Sequence, residues 1–467
     1  MASNASDADL RGPVLRPNRW SPLLRPRRKP IPMCPMRLTT LVIARAALSR
    51  LLWFVAAGVC AARAFAVDLP AARPEEVGFA ADRLARIDAA MQQAVAQRRV
   101  AGVVALVVRR GRVAHYAAYG FADIGSNRRL RRDDMFRIYS MTKPVVSVAL
   151  LMLYEEGKFQ LADPLEKYLP SFKNVKVLAG ADDSGRMLLE EPRRKPTIHD
   201  TFRHTAGLAS GLGPGPVNER YRELGLTIDK LESLRQEVEA LGTVPLLFHP
   251  GERWVYGLNH DVQAYLVEYF SGMALDEFLE ARLFGPLGME DTVFGIPGDR
   301  AARFATSYAR GADGRLDVGE TATTGPYTRF TSRPFGTFGL SSTAMDYARF
   351  AQMLLAGGEL DGVRILGSKT VELMRQNHLP PGVMTVPPFA PPGSGYGLGV
   401  SVTLDPAAEG NLDSRSSFGW SGASTTKFYV DPAEQLVAVI MAQQTPFDNA
   451  LLDQFQTLVY QAIVDSR

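Results

Sequence analysis

A serine and a lysine three positions apart, Ser140 and Lys143, have the chemical types and the spacing that nucleophilic catalysis requires. A serine hydroxyl attacks a carbonyl group well only when a base removes its proton, and residues three apart on a helix share one face. Lysine can act as that base when burial lowers its pKa. The run Val145–Leu153 is apolar almost all round, which predicts a buried helix that desolvates Lys143. Backbone N–H groups at the start of this helix would stabilise an oxyanion.

The same Ser-x-x-Lys pattern occurs a second time, from Ser424 to Lys427. So short a pattern is expected about once by chance in a chain of 467 residues, so the match alone does not identify a nucleophile. Without other context, Ser140 could be an N-cap serine followed by a surface lysine. The second match precedes a strand pattern at Phe428–Val430, in which positions three apart face opposite ways. Only Ser140 therefore has the helical context that the chemistry needs.

Two further segments carry groups that could complete such a site. Tyr256 follows a Pro-Gly turn and precedes a helical pattern at Asp261–Ser271, so it could transfer protons, although packing is the commoner role of a buried tyrosine. The segment Trp420-Ser421-Gly422-Ala423 leads into a strand. Its small residues would let a substrate approach the backbone, and the Ala423 N–H could complete an oxyanion hole. In isolation this segment is only a glycine-bearing turn.

Taken together and in this order, these segments resemble the boxes of the serine β-lactamase and penicillin-binding protein superfamily. The resemblance is to its class C branch and to the related family VIII carboxylesterases, and it covers residues 75–465. Residues 139–144 resemble the Ser-x-x-Lys box, residues 256–258 the Tyr-x-Asn box and residues 420–422 the Lys-Thr-Gly box. Supporting similarity lies at residues 159–164, 204–208 and 336–343.

The resemblance implies an α/β (α+β) fold of the β-lactamase/DD-peptidase type. In that fold an antiparallel sheet is flanked by helices, a mainly helical lobe is added, and the active site lies between the two. The resemblance also implies that Ser140 is the acylated nucleophile and that Lys143 and Tyr256 share the general base and acid work. The backbone N–H groups of Ser140 and Ala423 would form the oxyanion hole. No cofactor and no metal are expected.

Two departures from the family pattern bear on the substrate. The family's third box begins with a lysine that faces the substrate carboxylate, whereas this chain has Trp420 there. The second box ends in Leu258 instead of asparagine, although Asn259 follows directly. We expect Trp420, Ser421, Gly422 and Leu258 to contact the substrate. The more apolar cleft favours uncharged esters with short acyl chains.

The leading hypothesis is therefore a carboxylesterase that works through an acyl-Ser140 intermediate on a small-molecule ester. A β-lactamase or DD-peptidase-like enzyme, an acyltransferase and a non-catalytic binding protein with the same fold are the alternatives. Metal-dependent hydrolysis is not expected, because the histidines are dispersed; His199 and His204 fit structural contacts better than ligand roles. The Gly-x-Ser-x-Gly elbow of α/β-hydrolases is absent as well.

The first 66 residues have the composition of a basic leader and signal peptide. They contain 11 Lys and Arg but 2 acidic residues, so the formal charge of +4 becomes −5 for residues 67–467, and nucleic-acid binding is not expected. An apolar stretch at residues 51–59 and the sequence Ala64-Phe65-Ala66 predict cleavage near Ala66 and a periplasmic or secreted enzyme. Arg45, Arg50 and Arg63 interrupt the stretch, so no stable membrane span is expected. Both cysteines lie in the leader, which excludes thiol chemistry in the mature chain.

Residues 67–467 are predicted to form a single catalytic domain. Its α/β lobe would comprise residues 67–155 and 336–467, and its helical lobe residues 156–335. Periodicity predicts helices at residues 81–98, 261–271, 275–283, 345–356 and 448–465, and strands at residues 102–109, 113–119, 428–430 and 436–441. Segments rich in Gly, Pro and charge predict loops at residues 180–196, 205–225 and 380–392, which could form the rim of a cleft.

Overall fold

A computed structural model describes residues 68–226, 231–325, 334–386 and 391–465 of the chain. These residues all belong to one compact unit. The leader, both cysteines and the cleavage point near Ala66 lie outside them and stay predictions, as does the division of residues 67–467 into two lobes. Within the described ranges, no helix is long and apolar enough to cross a membrane.

The sheets are built from short strands and a few long ones. The strands are, in chain order, β1 (Gly102–Arg109), β2 (Arg112–Asp123), β3 (Arg128–Arg129), β4 (Phe136–Arg137), β5 (Val177–Ala181), β6 (Met187–Glu190), β7 (Val293–Phe294), β8 (Ser307–Arg310), β9 (Leu316–Glu320), β10 (Leu340–Ser342), β11 (Glu359–Leu360), β12 (Val363–Arg364), β13 (Ser394–Tyr396), β14 (Ser401–Thr403), β15 (Phe418–Gly422), β16 (Thr426–Asp431), β17 (Leu436–Ala442) and β18 (Gln444–Thr445). Eight of them form an antiparallel sheet in the order β13-β14-β15-β16-β17-β1-β2-β3. A small sheet, β4-β10-β7, lies next to the segment that carries Ser140.

The helices cover both faces of the main sheet and make up much of the middle of the chain. They are α1 (Ala81–Leu84), α2 (Arg86–Ala96), α3 (Thr142–Glu155), α4 (Ile198–Phe202), α5 (Pro216–Glu223), α6 (Leu234–Leu241), α7 (Asn259–Ser271), α8 (Leu275–Leu279), α9 (Gly285–Leu287), α10 (Ala344–Leu355), α11 (Ser368–Met374), α12 (Pro406–Glu409) and α13 (Asn449–Tyr460). A π-helical turn at Glu280–Phe284 joins α8 to α9. This mixed α/β arrangement around an antiparallel sheet confirms the predicted fold class.

Strand β1 is buried on both faces, which explains its unbroken apolar sequence from Gly102 to Val108. Val104 and Leu106 belong to the core on the α3 side, while Val103 and Ala105 belong to a second core with α2 and α13. Alternate residues of a strand face opposite ways, so a strand covered on both sides needs apolar residues at every position. Burial of each valine or leucine contributes about 1.5–3 kcal/mol relative to exposure.

Helix α3 is the buried helix that the sequence predicts after Ser140. Every residue from Thr142 to Leu153 is buried, and the helix packs against α7. A helix surrounded by protein places whatever polar group it carries in a poorly solvated environment. Lys143 is such a group, with none of its surface exposed.

Two segments predicted as loops contain regular structure, so those predictions were wrong. The segment 180–196 includes most of the β5–β6 hairpin, whose Leu188 and Leu189 are 46% and 48% exposed and so give no burial pattern. The segment 205–225 includes α5, which begins with a proline and buries only two apolar residues. The last helix ends at Tyr460 and not at residue 465.

Candidate active site

Ser140 lies in a single 3₁₀ turn, Tyr139–Met141, directly before α3. The preceding Tyr139 has a positive φ of 43°, a conformation that costs a residue with a Cβ about 1–2 kcal/mol. The Arg137 guanidinium lies 5.0 Å from the centroid of the Tyr139 ring and so supports this residue. Such local strain is concentrated at functional sites because it holds a side chain in a set direction.

The amine of Lys143 contacts the hydroxyl of Ser140. Lys143 Nζ lies 3.2 Å from Ser140 Oγ, and it donates a hydrogen bond of 2.8 Å to the backbone oxygen of Thr337. Burial lowers the pKa of Lys143 to about 7, although the nearby Asp261 carboxylate opposes the shift. A large share of Lys143 is therefore a neutral amine at physiological pH, and a neutral amine can accept the Ser140 proton.

This pKa predicts the pH dependence of the enzyme. Below pH 7 Lys143 is an ammonium ion without a free lone pair, so kcat/KM should fall about tenfold for each pH unit below the pKa of Lys143. Above the pKa the amine is neutral and kcat/KM should reach a plateau. Rates on p-nitrophenyl butyrate between about pH 5 and pH 9 measure the profile. A profile that stays flat through pH 7, or that rises only near the ordinary pKa of lysine, would contradict this assignment.

Tyr256 lies on the other side of the same amine. Its ring centroid is 4.4 Å from Lys143 Nζ, and its hydroxyl lies near the Ser140 side chain. Burial raises the pKa of Tyr256 above its usual range. The phenol therefore keeps its proton at neutral pH, and it can donate this proton to a leaving group more readily than it can act as a base.

His204 fixes the segment on which Tyr256 lies. Its backbone oxygen accepts a hydrogen bond from Val255 N, and its Nδ1 accepts bonds from Gly257 N at 3.4 Å and from the Asn259 side-chain amide at 2.9 Å. Two donors on Nδ1 place the ring proton on Nε2. Burial lowers the pKa of His204 well below its usual value, so the ring is neutral. The only indication of His204 in the sequence was the similarity of residues 204–208 to the family.

The Trp420 box runs along the edge of the same site, on β15. A Cβ on Gly422 would lie 2.2 Å from the backbone oxygen of Ile138, so only glycine allows this strand to approach the Ser140 segment. Trp420 is 6% exposed and its ring centroid is 5.8 Å from that of Tyr256. The Trp420 indole N–H lies near the Tyr256 hydroxyl without reaching hydrogen-bond geometry. Ser421 is half-buried, and Ala423 begins the turn that follows β15.

Leu258 and Asn259, at and directly after the position of the missing asparagine, are both buried and both hydrogen-bonded within the protein. Leu258 is 3% exposed and its backbone N–H is bonded to the Ala209 oxygen. Asn259 is fully buried and its amide is bonded to His204. Asn259 therefore does not replace the asparagine that is missing from the second box.

The second Ser-x-x-Lys match does not form a comparable pair. Ser424 is fully buried in the turn before β16, and Lys427 Nζ extends to helix α13, where it donates a bond of 2.7 Å to Gln456 Oε1. His199 contacts His378 with 2.9 Å between ring nitrogens. Within the described ranges, no group of three or more His, Cys, Asp and Glu residues is placed to hold a metal.

Residues 87–461 match the family described as Beta-lactamase. Because this range covers most of the chain, the protein belongs to the β-lactamase family, and it is a serine hydrolase with the β-lactamase and penicillin-binding protein fold. Its relatives include two proteins that are similar over most of their length. Protein Rv1367c of Mycobacterium tuberculosis is 34% identical over 355 residues, which are 74% of this chain and 86% of that protein. Esterase EstB of Burkholderia gladioli is 31% identical over 389 residues, which are 79% of this chain and 92% of the esterase.

The solved structure of EstCE1, described as a hydrolase with promiscuous acyltransferase activity, has the same fold. It superimposes with a TM-score of 0.68 at 25% sequence identity. The match covers 81% of this chain and 99% of EstCE1. The family resemblance inferred from the three boxes is thus confirmed.

Proposed function

We propose that this protein is a carboxylesterase that hydrolyses uncharged esters with short acyl chains through an acyl-Ser140 intermediate. The observation that carries the proposal is the contact of 3.2 Å between Ser140 Oγ and the fully buried amine of Lys143. A buried amine beside a serine hydroxyl is a base that can act near neutral pH.

The reaction has two stages. In the first, Lys143 takes the Ser140 proton while Oγ bonds to the ester carbonyl carbon, and the backbone N–H groups of Ser140 and Ala423 hold the resulting oxyanion. The carbonyl then re-forms, the bond to the alcohol oxygen breaks, and this oxygen takes a proton from Tyr256, which regains one from Lys143. In the second stage water attacks the acyl-serine by the same route, and the acid leaves while Ser140 recovers its proton.

The proposed substrate class follows from the apolar side chains of the site. Trp420 and Leu258 replace a cation and an amide that would bind a substrate carboxylate and amide. An apolar surface gives such charged and polar groups no partner, so their desolvation would be uncompensated. Trp420 also packs against Tyr256 and Tyr396 with ring centroids 5.8 and 5.2 Å away, and we expect an acyl group bound beside these rings to be short.

A panel of p-nitrophenyl esters tests the substrate class. We expect kcat/KM to be highest for acetate or butyrate, to fall at least about tenfold for palmitate, and to exceed that for nitrocefin by about 10² or more. Higher turnover of nitrocefin than of every ester would instead favour a β-lactamase. A preference for palmitate would contradict the short-chain proposal while leaving the esterase assignment intact.

Acyl transfer is the second candidate, because EstCE1 is described as having promiscuous acyltransferase activity. The same acyl-Ser140 would react with an alcohol in place of water, so the catalytic groups do not separate the two reactions. Product analysis with an added short alcohol distinguishes them. If the new ester exceeds the free acid at millimolar alcohol, transfer is the main activity.

A further inference from the structure

A buried carboxylate is linked to the amine of Lys143 through hydrogen bonds to one intervening residue. Asp261, in the first turn of α7, is fully buried, and each of its two oxygens accepts a hydrogen bond from Thr337. Oδ1 accepts the Thr337 backbone N–H at 3.0 Å, and Oδ2 accepts the Thr337 hydroxyl. The backbone oxygen of the same Thr337 accepts the bond of 2.8 Å from Lys143 Nζ. Asp261, Thr337 and Lys143 therefore form one continuous chain of hydrogen bonds.

The Thr337 carbonyl is held by packing as well as by these bonds. A Cβ on the preceding Gly336 would lie 2.4 Å from the backbone oxygen of His260, so the chain here lies directly against the start of α7. With its N–H and hydroxyl both bound to one carboxylate, Thr337 has little freedom to turn its carbonyl away.

A fixed carbonyl determines how a neutral amine points. A neutral lysine amine has two N–H bonds and one lone pair, and Thr337 takes one of the N–H bonds. With that bond held, the lone pair can be directed at Ser140 Oγ, which lies 3.2 Å away. A general base works only when its lone pair is aligned with the proton it takes.

The charge of Asp261 acts on the same amine. Among the residues that the structure describes, the titratable groups that face Lys143 are Asp261 and His260 from α7, Tyr256 from the segment before it and His204 from the segment after α4. Burial holds both histidines neutral and keeps Tyr256 protonated, so Asp261 supplies the negative charge. A buried carboxylate stabilises a nearby ammonium ion and so opposes the desolvation of Lys143.

We propose that Asp261 is a positioning residue that sets the direction of the Lys143 amine through Thr337 and its protonation through the negative charge of the carboxylate. The inference rests on the proposed role of Lys143 as the general base. Asp261 touches neither substrate nor reacting atoms in this role and acts on Ser140 only by way of Lys143.

The pH profile of Asp261→Asn tests the inference. Loss of the negative charge makes the ammonium form of Lys143 less stable, so the midpoint of the acid limb of kcat/KM should move to lower pH by about one unit. The plateau of kcat should also fall about tenfold, because the amide holds Thr337 less firmly than a carboxylate does. A merely structural role would lower the melting temperature and the rate without moving the midpoint.

Asp346→Asn is the matched control. Asp346 is also a buried aspartate that accepts bonds from a backbone N–H, that of Asp291 at 2.8 Å, and from a threonine hydroxyl, that of Thr292 at 3.0 Å. Burial raises the pKa of Asp346 to about 7, so this variant also tests whether Asp346 causes an acid limb near pH 7. We expect its midpoint to equal that of the wild type.

The possible outcomes separate this inference from the proposed function. Suppose that the wild type is active, that Lys143→Met is inactive, and that Asp261→Asn is folded with an unchanged midpoint. The positioning role proposed for Asp261 is then wrong, while the role of Lys143 as the base stands. If Lys143→Met remains fully active, the proposed base itself is wrong.

A second variant tests the inference if Asp261→Asn does not fold. Thr337→Val removes one of the two hydrogen bonds to Asp261 while it keeps the negative charge. Its kcat plateau should fall severalfold relative to Thr292→Val, and an unchanged plateau would overturn the inference.

Discussion

Ser140→Ala is expected to lower kcat/KM for p-nitrophenyl butyrate by at least about 10⁴-fold, because no acyl-enzyme can form without the nucleophilic oxygen. The hydroxyl is small and Ser140 lies at the half-buried start of α3, so the fold should be retained. The melting temperature should stay within a few degrees of the wild type. Steady-state kinetics and labelling by a fluorophosphonate probe are the two measurements.

The chain provides a matched control for this variant. Ser424→Ala removes the serine of the second Ser-x-x-Lys match, whose lysine is bound to Gln456 instead of to a serine. We expect it to keep activity within about threefold of the wild type and to be labelled by the probe. If Ser140→Ala kept full turnover, or if only Ser424→Ala lost labelling, the nucleophile would be a residue other than Ser140.

Lys143→Met is expected to lower kcat for the same ester by about 10³-fold or more, since general base catalysis contributes about 10²–10⁴-fold and alignment of the base adds to this. Methionine fills most of the space of the lysine stem and needs no hydrogen bond. Loss of the Lys143 amine removes a poorly solvated charge but also the bond to the Thr337 oxygen, so these two effects oppose each other and stability should change little. The residual rate should also lack the acid limb near pH 7.

Lys427→Met is the control for this second variant. Its lysine is also largely buried, and its pKa is lowered by burial, but its amine binds helix α13. We expect kcat within about threefold of the wild type. If the two lysine variants lost equal activity, the loss would reflect general disturbance of the core and not removal of a base.

The local features of this protein could be read from its sequence because they depend on neighbouring residues. The run Gly102–Arg109, which is apolar as far as Val108, predicted a strand with the bounds that the structure has. The run after Ser140 predicted a buried helix because no face of it is polar. The contact between Ser140 and Lys143 followed from helical spacing alone.

Sequence reasoning was weaker where a segment gains its structure from distant contacts. Helix α5 and the β5–β6 hairpin carry Gly, Pro and charge, and their few apolar residues gave no periodic signal. Asn259, one position after Leu258, was a possible substitute for the missing asparagine, but its amide is bound to His204 inside the core. Adjacency in the chain did not determine where that side chain points.

The sequence by itself determined the family, the candidate nucleophile and base, and the apolar residues Trp420 and Leu258 at two positions where the family has polar ones. Tertiary structure alone brought Tyr256 to the amine of Lys143, placed His204 behind the Tyr256 segment, turned the Thr337 carbonyl toward the same amine and placed Asp261 against Thr337. The physical reason is that local pattern fixes which face of a helix or strand is buried. Which distant side chains share that buried space, and so which pKa values shift, depends on how the elements pack.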